Sequence, residues 1–364
     1  MPKSREMINK NTSPMIDDEE IKFLTLSKKY PKYFIHAHKD SKQEGFEYFY
    51  SNMTIKTLKG FISRFLHLGK GLGVVNRLKI VRNMIRNFRT IFKGRKESFK
   101  DIEPYYRKIK NNKKCPHSKH TKLLKSHPSK ELWNELIAYT KEKWGLKIGF
   151  TKLPTQLIFK GKAVLFKYAL IFIQEMREKM INHAPNTIAG AEVMRVYGTL
   201  GLAVNDIARW LRSKGIICQA NHPLGGLVNL PPLAGKAGMG WQGHHGLLIT
   251  PEFGPRHRIA PIFIEKKLFE YTDNQSHRWI EKWCNLCKKC ERACPTGAIK
   301  SEKKTSIQKV PGIGQTKTCI DRERCFPYFN KTFGCSICIK VCPFSKGINT
   351  YKRLKNTVEK RKNE

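Results

Sequence analysis

The sequence predicts an α/β (or α+β) core that follows a basic helical N-terminal region and precedes a small cysteine-rich domain. Apolar patterns typical of helices and strands alternate from about residue 132, nine of the eleven cysteines lie from Cys284 to Cys342, and basic residues are dense near the N-terminus. A chain of 364 residues is long enough for two or three domains. The boundaries that we assign are 1–125 for the N-terminal region, 126–272 for the core, 273–350 for the cysteine-rich domain and 351–364 for a charged tail that we expect to fray.

The chain is strongly basic, because 70 Lys and Arg against 29 Asp and Glu give a formal charge of +41. Such a charge suits an anionic partner such as nucleic acid, a membrane surface or an acidic electron donor. Lysines are scattered through all regions, however, so a generally lysine-rich surface is the simpler interpretation and nucleic acid is not the favoured partner. No apolar stretch is long enough for a transmembrane span, and the N-terminus shows no secretory or twin-arginine signal. We therefore expect a cytoplasmic protein.

The N-terminal region contains one clear helix. Between Leu78 and Phe92 apolar residues recur every three or four positions, and arginines occupy much of the remaining surface. This helix could lie on anionic lipid or nucleic acid, but a helix packed on its own domain with a solvated basic face is commoner. Residues 105–130 have the composition of a linker. The spacing of the possible zinc ligands in that linker matches no usual site. These ligands are Cys115, His117, His120 and His127.

The core shows helices and strands in alternation. Successive predictions are a helix over 131–143, a buried strand region over 163–173, a long helix over 188–214 that Gly215 ends, a strand over 216–220, and apolar runs at 247–250 and 259–264. A Gly- and Pro-rich stretch lies between the strand at 216–220 and these two runs. Such alternation is typical of helices layered around one sheet.

The cysteine spacing predicts two 4Fe–4S clusters. Four cysteines precede Pro295 in the pattern C-x2-C-x2-C-x3-C-P, which is the run found in bacterial ferredoxins, and a second, shorter run precedes Pro343. Three closely spaced thiolates can bind one cube, but the chain cannot return soon enough to supply the fourth. In two-cluster ferredoxins the last cysteine of each run therefore binds the other cluster. This domain has few consecutive apolar residues, so we expect metal binding to supply part of its stability.

The two interlocked runs assign the ligands. The first cluster takes Cys284, Cys287, Cys290 and Cys342, and the second takes Cys294, Cys335, Cys338 and either Cys325 or Cys319, of which we favour Cys325. Structural zinc is the weaker interpretation, because zinc usually binds paired C-x2-C knuckles. Cys115 and Cys218 lie outside the runs and are expected to be buried thiols.

A glycine-rich segment precedes the cysteine runs. Residues 230–258 contain Pro-Pro-Leu-Ala, then Ala-Gly-Met-Gly, then Gly-Leu-Leu-Ile-Thr-Pro-Glu-Phe-Gly-Pro-Arg. Together with the two cysteine runs, this segment resembles the corrinoid-dependent reductive dehalogenases and their relatives, the epoxyqueuosine reductases. The resemblance covers roughly residues 160–348, and the second cysteine run is closer to the dehalogenases.

The resemblance implies cofactors and partners. A cobalamin would lie base-off between the α/β core and the cluster domain, and electrons would pass through the clusters to the cobalt from a low-potential donor, ferredoxin or flavodoxin. The reaction would remove a leaving group, such as a halide or an epoxide oxygen, from a small-molecule substrate. The candidate corrin contacts that the resemblance implies are Gly238, Gly240, Gly243, His244, Thr250, Pro251 and Gly254.

The proton donor distinguishes the two groups of relatives. Epoxyqueuosine reductases use an Asp upstream of the glycine-rich segment, but this chain has no acidic residue between Asp206 and Glu252. Reductive dehalogenases use a Tyr whose acidity a nearby Lys or Arg tunes, which here implies Tyr197 with Arg256 or Arg258. The alternative for Tyr197 is a core aromatic at helical spacing. Where relatives carry Lys or Arg, this chain has His244 followed by another histidine, and that leaves the substrate open.

Two alternatives to a dehalogenase-like reductase follow from these departures. One is a non-catalytic electron-transfer protein of ferredoxin type that binds no corrinoid. The other is an epoxyqueuosine reductase-like enzyme that modifies tRNA, which the basic charge suits without specifying it. Bound corrinoid would exclude the first alternative, and a steeply salt-dependent preference for tRNA would favour the second.

Overall fold

The computed structural model describes residues 18–39, 41, 74–111, 129–300, 305–310, 314–318, 320–332 and 334–360. Cys319 and the four possible zinc ligands between Cys115 and His127 lie outside the described residues. The described helices are α1 (Asp18–Lys29), α2 (Val74–Lys100), α3 (Glu103–Lys110), α4 (Lys130–Trp144), α5 (Glu178–Ile181), α6 (Thr187–Ser213), α7 (Leu230–Lys236), α8 (Trp279–Cys287), α9 (Lys289–Arg292), α10 (Arg322–Lys331), α11 (Ile337–Lys340) and α12 (Ile348–Lys360).

The described strands form one central sheet and three small pairs. They are β1 (Ile35–His36), β2 (Lys147–Lys152), β3 (Ala163–Val164), β4 (Tyr168–Glu175), β5 (Cys218–Ala220), β6 (Trp241–Gln242), β7 (Leu248–Ile249), β8 (His257–Ile264), β9 (Thr305–Val310) and β10 (Gly314–Thr318). The central sheet has the order β2-β4-β8-β5, and all its neighbours are antiparallel, with Tyr168 of β4 opposite Ile264 of β8. The fold is therefore mixed α/β around one sheet.

The central sheet is covered on both faces, which explains why its strands are almost continuously apolar. Successive side chains of a strand point to opposite faces. Leu170 and Phe172 of β4 pack with α4 and α6 on one face, whereas Ala169 and Ile171 pack with α1, α3 and α7 on the other. Cys218 on β5 is fully buried in this core, as expected for a thiol outside the cysteine runs.

The two core helices begin and end with local signals that agree with the sequence prediction. The Asn186 side chain accepts a hydrogen bond from the backbone N–H of Ile188 at the start of α6, and Gly215, with φ of 78°, follows its end. The Ser129 hydroxyl caps α4 in the same way, and Gly145, in the left-handed conformation, ends it. Helix α6 then crosses the sheet and carries Tyr197.

The basic N-terminal helix α2 packs on the core. The Asn205 amide of α6 donates to the Gly94 carbonyl at 2.8 Å and accepts from the Ser98 hydroxyl at 2.7 Å. A buried ion pair joins Arg95 of α2 to Glu20 of α1. Arg82, Arg86 and Arg89 stay exposed. The structure therefore supports the interpretation that this helix packs on its own chain and exposes its basic face to solvent.

The expectation that residues after 350 fray is wrong for residues up to 360. They belong to α12, whose Tyr351, Leu354 and Val358 are buried. Tyr351 and Leu354 pack with Ile280 of α8, Phe344 and Ile249 of β7. The apolar spacing of three and four residues within a charged sequence was the signal for this helix. Within the parts of the chain that the structure describes, no helix combines the length and apolarity needed to cross a membrane.

Candidate functional site

The eight cysteines that the sequence nominates as cluster ligands all lie in the described residues, and none forms a disulfide. They lie on or beside the short helices α8 to α11 and the turn before α12. Each run carries a non-glycine residue with left-handed backbone, Lys288 (φ 44°) after Cys287 and Ser336 (φ 54°) after Cys335. Such conformations are uncommon for these residue types and cluster at functional sites. Sequence reasoning missed this shared local conformation of the two runs.

Four thiols form the first set, which we define as Cys284, Cys287, Cys290 and Cys342. Burial raises the pKa of Cys342 well above its ordinary value, and the thiols of the other three members raise it further. Cys342 thus lies beside the earlier run although it belongs to the later one. Burial raises the pKa of Cys284 to about 12, although the nearby backbone N–H of His244 acts to lower it.

The second set consists of Cys294, Cys325, Cys335 and Cys338. Burial raises the pKa of Cys325 to about 11, and the thiols of Cys294 and Cys335 add to the effect. Burial also raises the pKa of Cys338, with contributions from the other three members and from Cys290 of the first set. The structure therefore brings Cys325 together with the ligands that the sequence assigns to the second cluster, and the two sets lie next to each other.

The donor chemistry of the two sets fits 4Fe–4S clusters. Within the described ranges, no three His, Cys, Asp or Glu side chains converge closely enough to hold a single metal ion. A zinc site would draw its sulfur ligands to about 2.3 Å from one point, whereas a 4Fe–4S cube takes its four thiolates separately. Burial raises the pKa of Cys338 and of Cys342, and bound metal would hold such thiols as thiolates.

Tyr197 and Arg258 come together beside the cysteine sets. The Arg258 guanidinium carbon lies 4.8 Å from the centre of the Tyr197 ring, and its Nη1 donates to the His257 carbonyl at 3.0 Å. The Arg258 Nε is buried and has no partner among the described residues. Tyr197 and Cys338 pack against the same buried apolar cluster. This site thus pairs a phenol with a permanent cation near the second set.

Arg256, the other arginine that the sequence nominates, has a different environment. Its side chain is 4% exposed, and its Nη1 donates to Glu175 at 2.7 Å and to the Met176 carbonyl at 2.8 Å. Its Nε donates to the Ser345 carbonyl at 2.7 Å, in the turn after the second cysteine run. Arg256 therefore joins the core to the cysteine-rich part, whereas Arg258 is the arginine that contacts Tyr197.

The glycines nominated as corrin contacts are packed against the protein itself. A Cβ on Gly238 would meet Asn274 and the Thr272 carbonyl, and one on Gly254 would meet the backbone of Phe344. A Cβ on Gly240 or Gly243 would meet Ile249. Internal packing is therefore enough to require glycine at positions 238, 240 and 254, where a Cβ would meet backbone atoms.

A cavity of about 240 Å³ borders Gly238, Thr250 and Pro251. The other side chains that give it polar character are Lys147, Glu252, Asn274 and His277. Pockets for drug-sized ligands span roughly 300–1,000 Å³, and a corrinoid is larger than such ligands. This cavity therefore does not fit a corrinoid. His244 lies elsewhere, beside the first set, with its Nε2 2.9 Å from Glu291.

A buried carboxylate that sequence reasoning missed holds the start of α6. Glu192 receives hydrogen bonds from the side chains of Arg177 and Arg195 and from the Arg177 backbone N–H. The Glu192 side chain is 1% exposed. Arg195 lies three residues after Glu192 on the same helix, so the sequence spacing predicts that contact. Arg177 lies before the helix, and its contact with Glu192 could not be predicted from spacing.

The family comparison identifies the cysteine-rich part. Residues 283–345 match the family described as "4Fe-4S double cluster binding domain". The prediction of a double-cluster domain from the cysteine spacing is thereby confirmed.

Curated relatives belong to two groups of oxidoreductases. A tetrachloroethene reductive dehalogenase of Desulfitobacterium hafniense is 33% identical over 202 residues, which are 52% of this chain and 34% of the relative. An epoxyqueuosine reductase of Listeria monocytogenes is 34% identical over 116 residues, which are 32% of this chain and 29% of the relative. The resemblance that the motifs indicate is confirmed, and the chain spans about a third of the length of these relatives.

Solved structures of both groups are also similar. The catabolic reductive dehalogenase NpRdhA in complex with 3-bromo-4-hydroxybenzoic acid has a TM-score of 0.49 and 19% identity, over 58% of this chain and 32% of that one. An epoxyqueuosine reductase with a modified tRNA-Tyr stem loop has a TM-score of 0.42 and 21% identity, over 60% of this chain and 66% of that one.

Proposed function

We propose that this protein is an iron–sulfur oxidoreductase that cleaves a small-molecule substrate reductively, in the manner of a reductive dehalogenase. The observation that carries the proposal is the contact between Tyr197 and Arg258 beside the second set of cysteines. The similarity to tetrachloroethene reductive dehalogenases over half of the chain supports it.

The two cysteine sets hold two 4Fe–4S clusters in this proposal. The first takes Cys284, Cys287, Cys290 and Cys342, and the second takes the remaining four described cysteines of the runs. The mutual effects of the thiols within each set support these assignments. The contact between the sets supports an electron path from one cluster to the other, with reduced ferredoxin or flavodoxin as the donor.

The reaction requires two electrons and one proton. The bond from carbon to the leaving group breaks, a carbon–hydrogen bond forms, and the halide departs with the electron pair of the broken bond. Tyr197 supplies the proton through its hydroxyl and becomes a phenolate. The Arg258 guanidinium lies 4.8 Å from the centre of that ring and places a positive charge beside the negative charge that forms there.

The resemblance to the corrinoid-dependent relatives implies a base-off cobalamin, and this part of the proposal rests on that resemblance alone. The cavity of about 240 Å³ at Gly238, Thr250 and Pro251 is too small for a corrinoid. Cobalt analysis tests this part separately from the clusters.

The first test is anaerobic purification with added cobalamin, followed by iron, sulfide and cobalt analysis. We expect about eight iron atoms per chain, four for each cluster, and one cobalt. Eight iron atoms without cobalt would support the alternative of a ferredoxin-type electron-transfer protein that binds no corrinoid.

The second test is the Tyr197→Phe variant, assayed for halide release from tetrachloroethene and from 3-bromo-4-hydroxybenzoic acid with a chemical reductant. General acid catalysis contributes about 100- to 10,000-fold to rates, so we expect at least a 100-fold loss at unchanged iron content. Tyr139→Phe is the control, because the Tyr139 hydroxyl donates to Asp206, nine residues along α6 from Tyr197. Equal activity of Tyr197→Phe and the wild type would contradict the role of Tyr197.

Epoxyqueuosine reduction in tRNA is the second candidate, which the similarity to epoxyqueuosine reductases and the charge of +41 favour. The lack of acidic residues between Asp206 and Glu252 counts against it. Preference for a tRNA stem loop over unrelated RNA, with binding that weakens steeply as salt rises, would support this candidate.

A further inference from the structure

The loop between β6 and β7 contains two consecutive histidines and lies beside the first set of cysteines. The hairpin closes through the Gly243 N–H, which donates to the Leu247 carbonyl at 2.9 Å. His244 and His245 both line a pocket with all four cysteines of the first set. The His244 side chain already has a partner, because its Nε2 lies 2.9 Å from Glu291.

The His245 ring presents a hydrogen-bond donor to that pocket. The Leu247 backbone N–H donates to the His245 Nδ1 at 3.2 Å, so Nδ1 acts as the acceptor and Nε2 carries the hydrogen. His245 is 1% exposed, and its Nε2 has no partner among the described residues. A buried N–H without a partner costs free energy, so it calls for an acceptor.

Trp283 presents a second donor to the same pocket. It directly precedes Cys284 on α8 and lines the pocket with His245 and the first set. Its indole Nε1 is buried without a partner in the described part of the chain. An indole N–H can only donate, so this group needs an acceptor as well. Two unpartnered donors therefore border the pocket that the four thiols of the first set line.

We infer that the N–H groups of His245 and Trp283 donate hydrogen bonds to sulfur atoms of the first cluster and raise its reduction potential. The inference rests on the proposed double-cluster site. A cluster gains negative charge when it is reduced, so donors that face its sulfur atoms stabilise the reduced form more than the oxidised form. The sulfur atoms in turn supply the acceptors that both buried donors lack. His245 thus contributes to the first cluster through its ring N–H, whereas the His244 ring pairs with Glu291.

The test is a redox titration followed by electron paramagnetic resonance on the cluster-loaded protein. In His245→Phe and in Trp283→Phe we expect one of the two midpoint potentials to become more negative. The expected change is a threefold to tenfold smaller ratio of reduced to oxidised cluster at a fixed potential, tenfold being about 59 mV for one electron. Trp279→Phe is the matched control on the same helix, because its indole N–H already donates to the Tyr351 hydroxyl at 3.2 Å. It should leave both midpoints unchanged.

A conservative variant and a label on the wild-type protein complete the test. His245→Gln keeps an N–H donor, so its midpoint potential should lie closer to that of the wild type than to that of His245→Phe. Wild-type protein with ¹⁵N only in its histidine rings should show, in pulsed paramagnetic resonance, a coupling to the reduced first cluster that equally labelled His245→Gln lacks. Unchanged midpoints in both donor variants at full iron content, or no such coupling, would overturn the inference. A chain that takes up no iron would instead overturn the proposed double-cluster site.

Discussion

Tyr197 and its two candidate arginines show what can be predicted at the scale of single residues. The resemblance nominates Tyr197, Arg256 and Arg258, but the two arginines lie only two positions apart in the sequence. Their roles depend on partners that are distant along the chain. Arg256 donates hydrogen bonds to Glu175 and to the Ser345 carbonyl, whereas Arg258 contacts the Tyr197 ring. No local pattern contains that information.

Glu192 gives a prediction about pH. Burial raises the pKa of Glu192, but hydrogen bonds from Arg195 and Arg177 outweigh burial and lower it to about 2, from an ordinary 4.5. A carboxylate with a lowered native pKa contributes stability that is fully present above pH 4.5 and is lost as the pH falls towards 2. We expect Glu192→Gln to lower the free energy of unfolding at pH 7 by up to about 3 kcal/mol.

The measurement is chemical unfolding at several pH values between 7 and 3, with variant and wild type compared at each pH so that loss of clusters in acid affects both. The difference should shrink below pH 4.5. Glu135→Gln is the control, since Glu135 forms an exposed pair with Lys214 and should change stability by less than about 1 kcal/mol. A difference between Glu192→Gln and wild type that stays constant from pH 7 to pH 3 would contradict the prediction.

At the scale of elements, periodicity predicted the helices but not what they touch. The basic helix α2 was expected from its repeat of apolar residues, yet Ile85 and Phe92 of that repeat are 47% and 41% exposed. The contact with α6 instead uses Gly94, Ser98 and the amide of Asn205. Polar and small residues at a helix contact leave no apolar period, so the partner of α2 was not predictable from the pattern.

The contact between these two helices predicts a sensitive glycine. The buried His222 ring lies against Gly201 of α6, so that a Cβ at position 201 would collide with the imidazole, and it also lies close to Gly94 of α2. Overpacking of this kind costs about 1–3 kcal/mol, while alanine gains about 1 kcal/mol of helix propensity over glycine. We expect Gly201→Ala to lower the thermal midpoint despite that gain.

Gly235→Ala is the matched control for this prediction. Gly235 also lies in a helix, and a Cβ there would meet the Gly240 carbonyl and Leu248 at 3.6 and 3.8 Å, which are ordinary contacts. Its thermal midpoint should equal or exceed that of the wild type. A Gly201→Ala protein as stable as Gly235→Ala would show that the His222 ring moves aside without cost.

At the scale of the whole molecule, the cysteine spacing was the most informative part of the sequence. Thiolates at fixed intervals dictate the local conformation of a cluster domain, and residues 283–345 match such a domain. The joint between this domain and the sheet was not predictable, because it includes a hydrogen bond from Arg256 to Ser345, an ion pair between Lys346 and Glu178, and apolar contacts of α12. The size of the cavity at Gly238 also could not be predicted from the glycine pattern. Glycine is needed both where the chain packs on itself and where it contacts a ligand, so the pattern does not distinguish the two.

Removal of the clusters should destabilise the cysteine-rich part and leave the sheet and its helices stable. The sheet and its helices bury large apolar residues on both faces, such as Phe150, Phe172 and Phe263, and need no metal. The region from α8 to α11 buries few apolar side chains, chiefly Ile280, Ile299 and Ile339, so metal bound by its cysteines supplies part of its stability. We therefore expect that chelation of the iron under oxidation opens residues 283–342 to proteolysis while residues 147–264 stay protected.

Loaded protein, treated with the same protease, is the control and should resist cleavage in both regions. If the cleavage maps with and without iron were the same, the cysteine-rich part would be held by its contacts with the core, through Arg256 and α12, and the clusters would serve electron transfer alone.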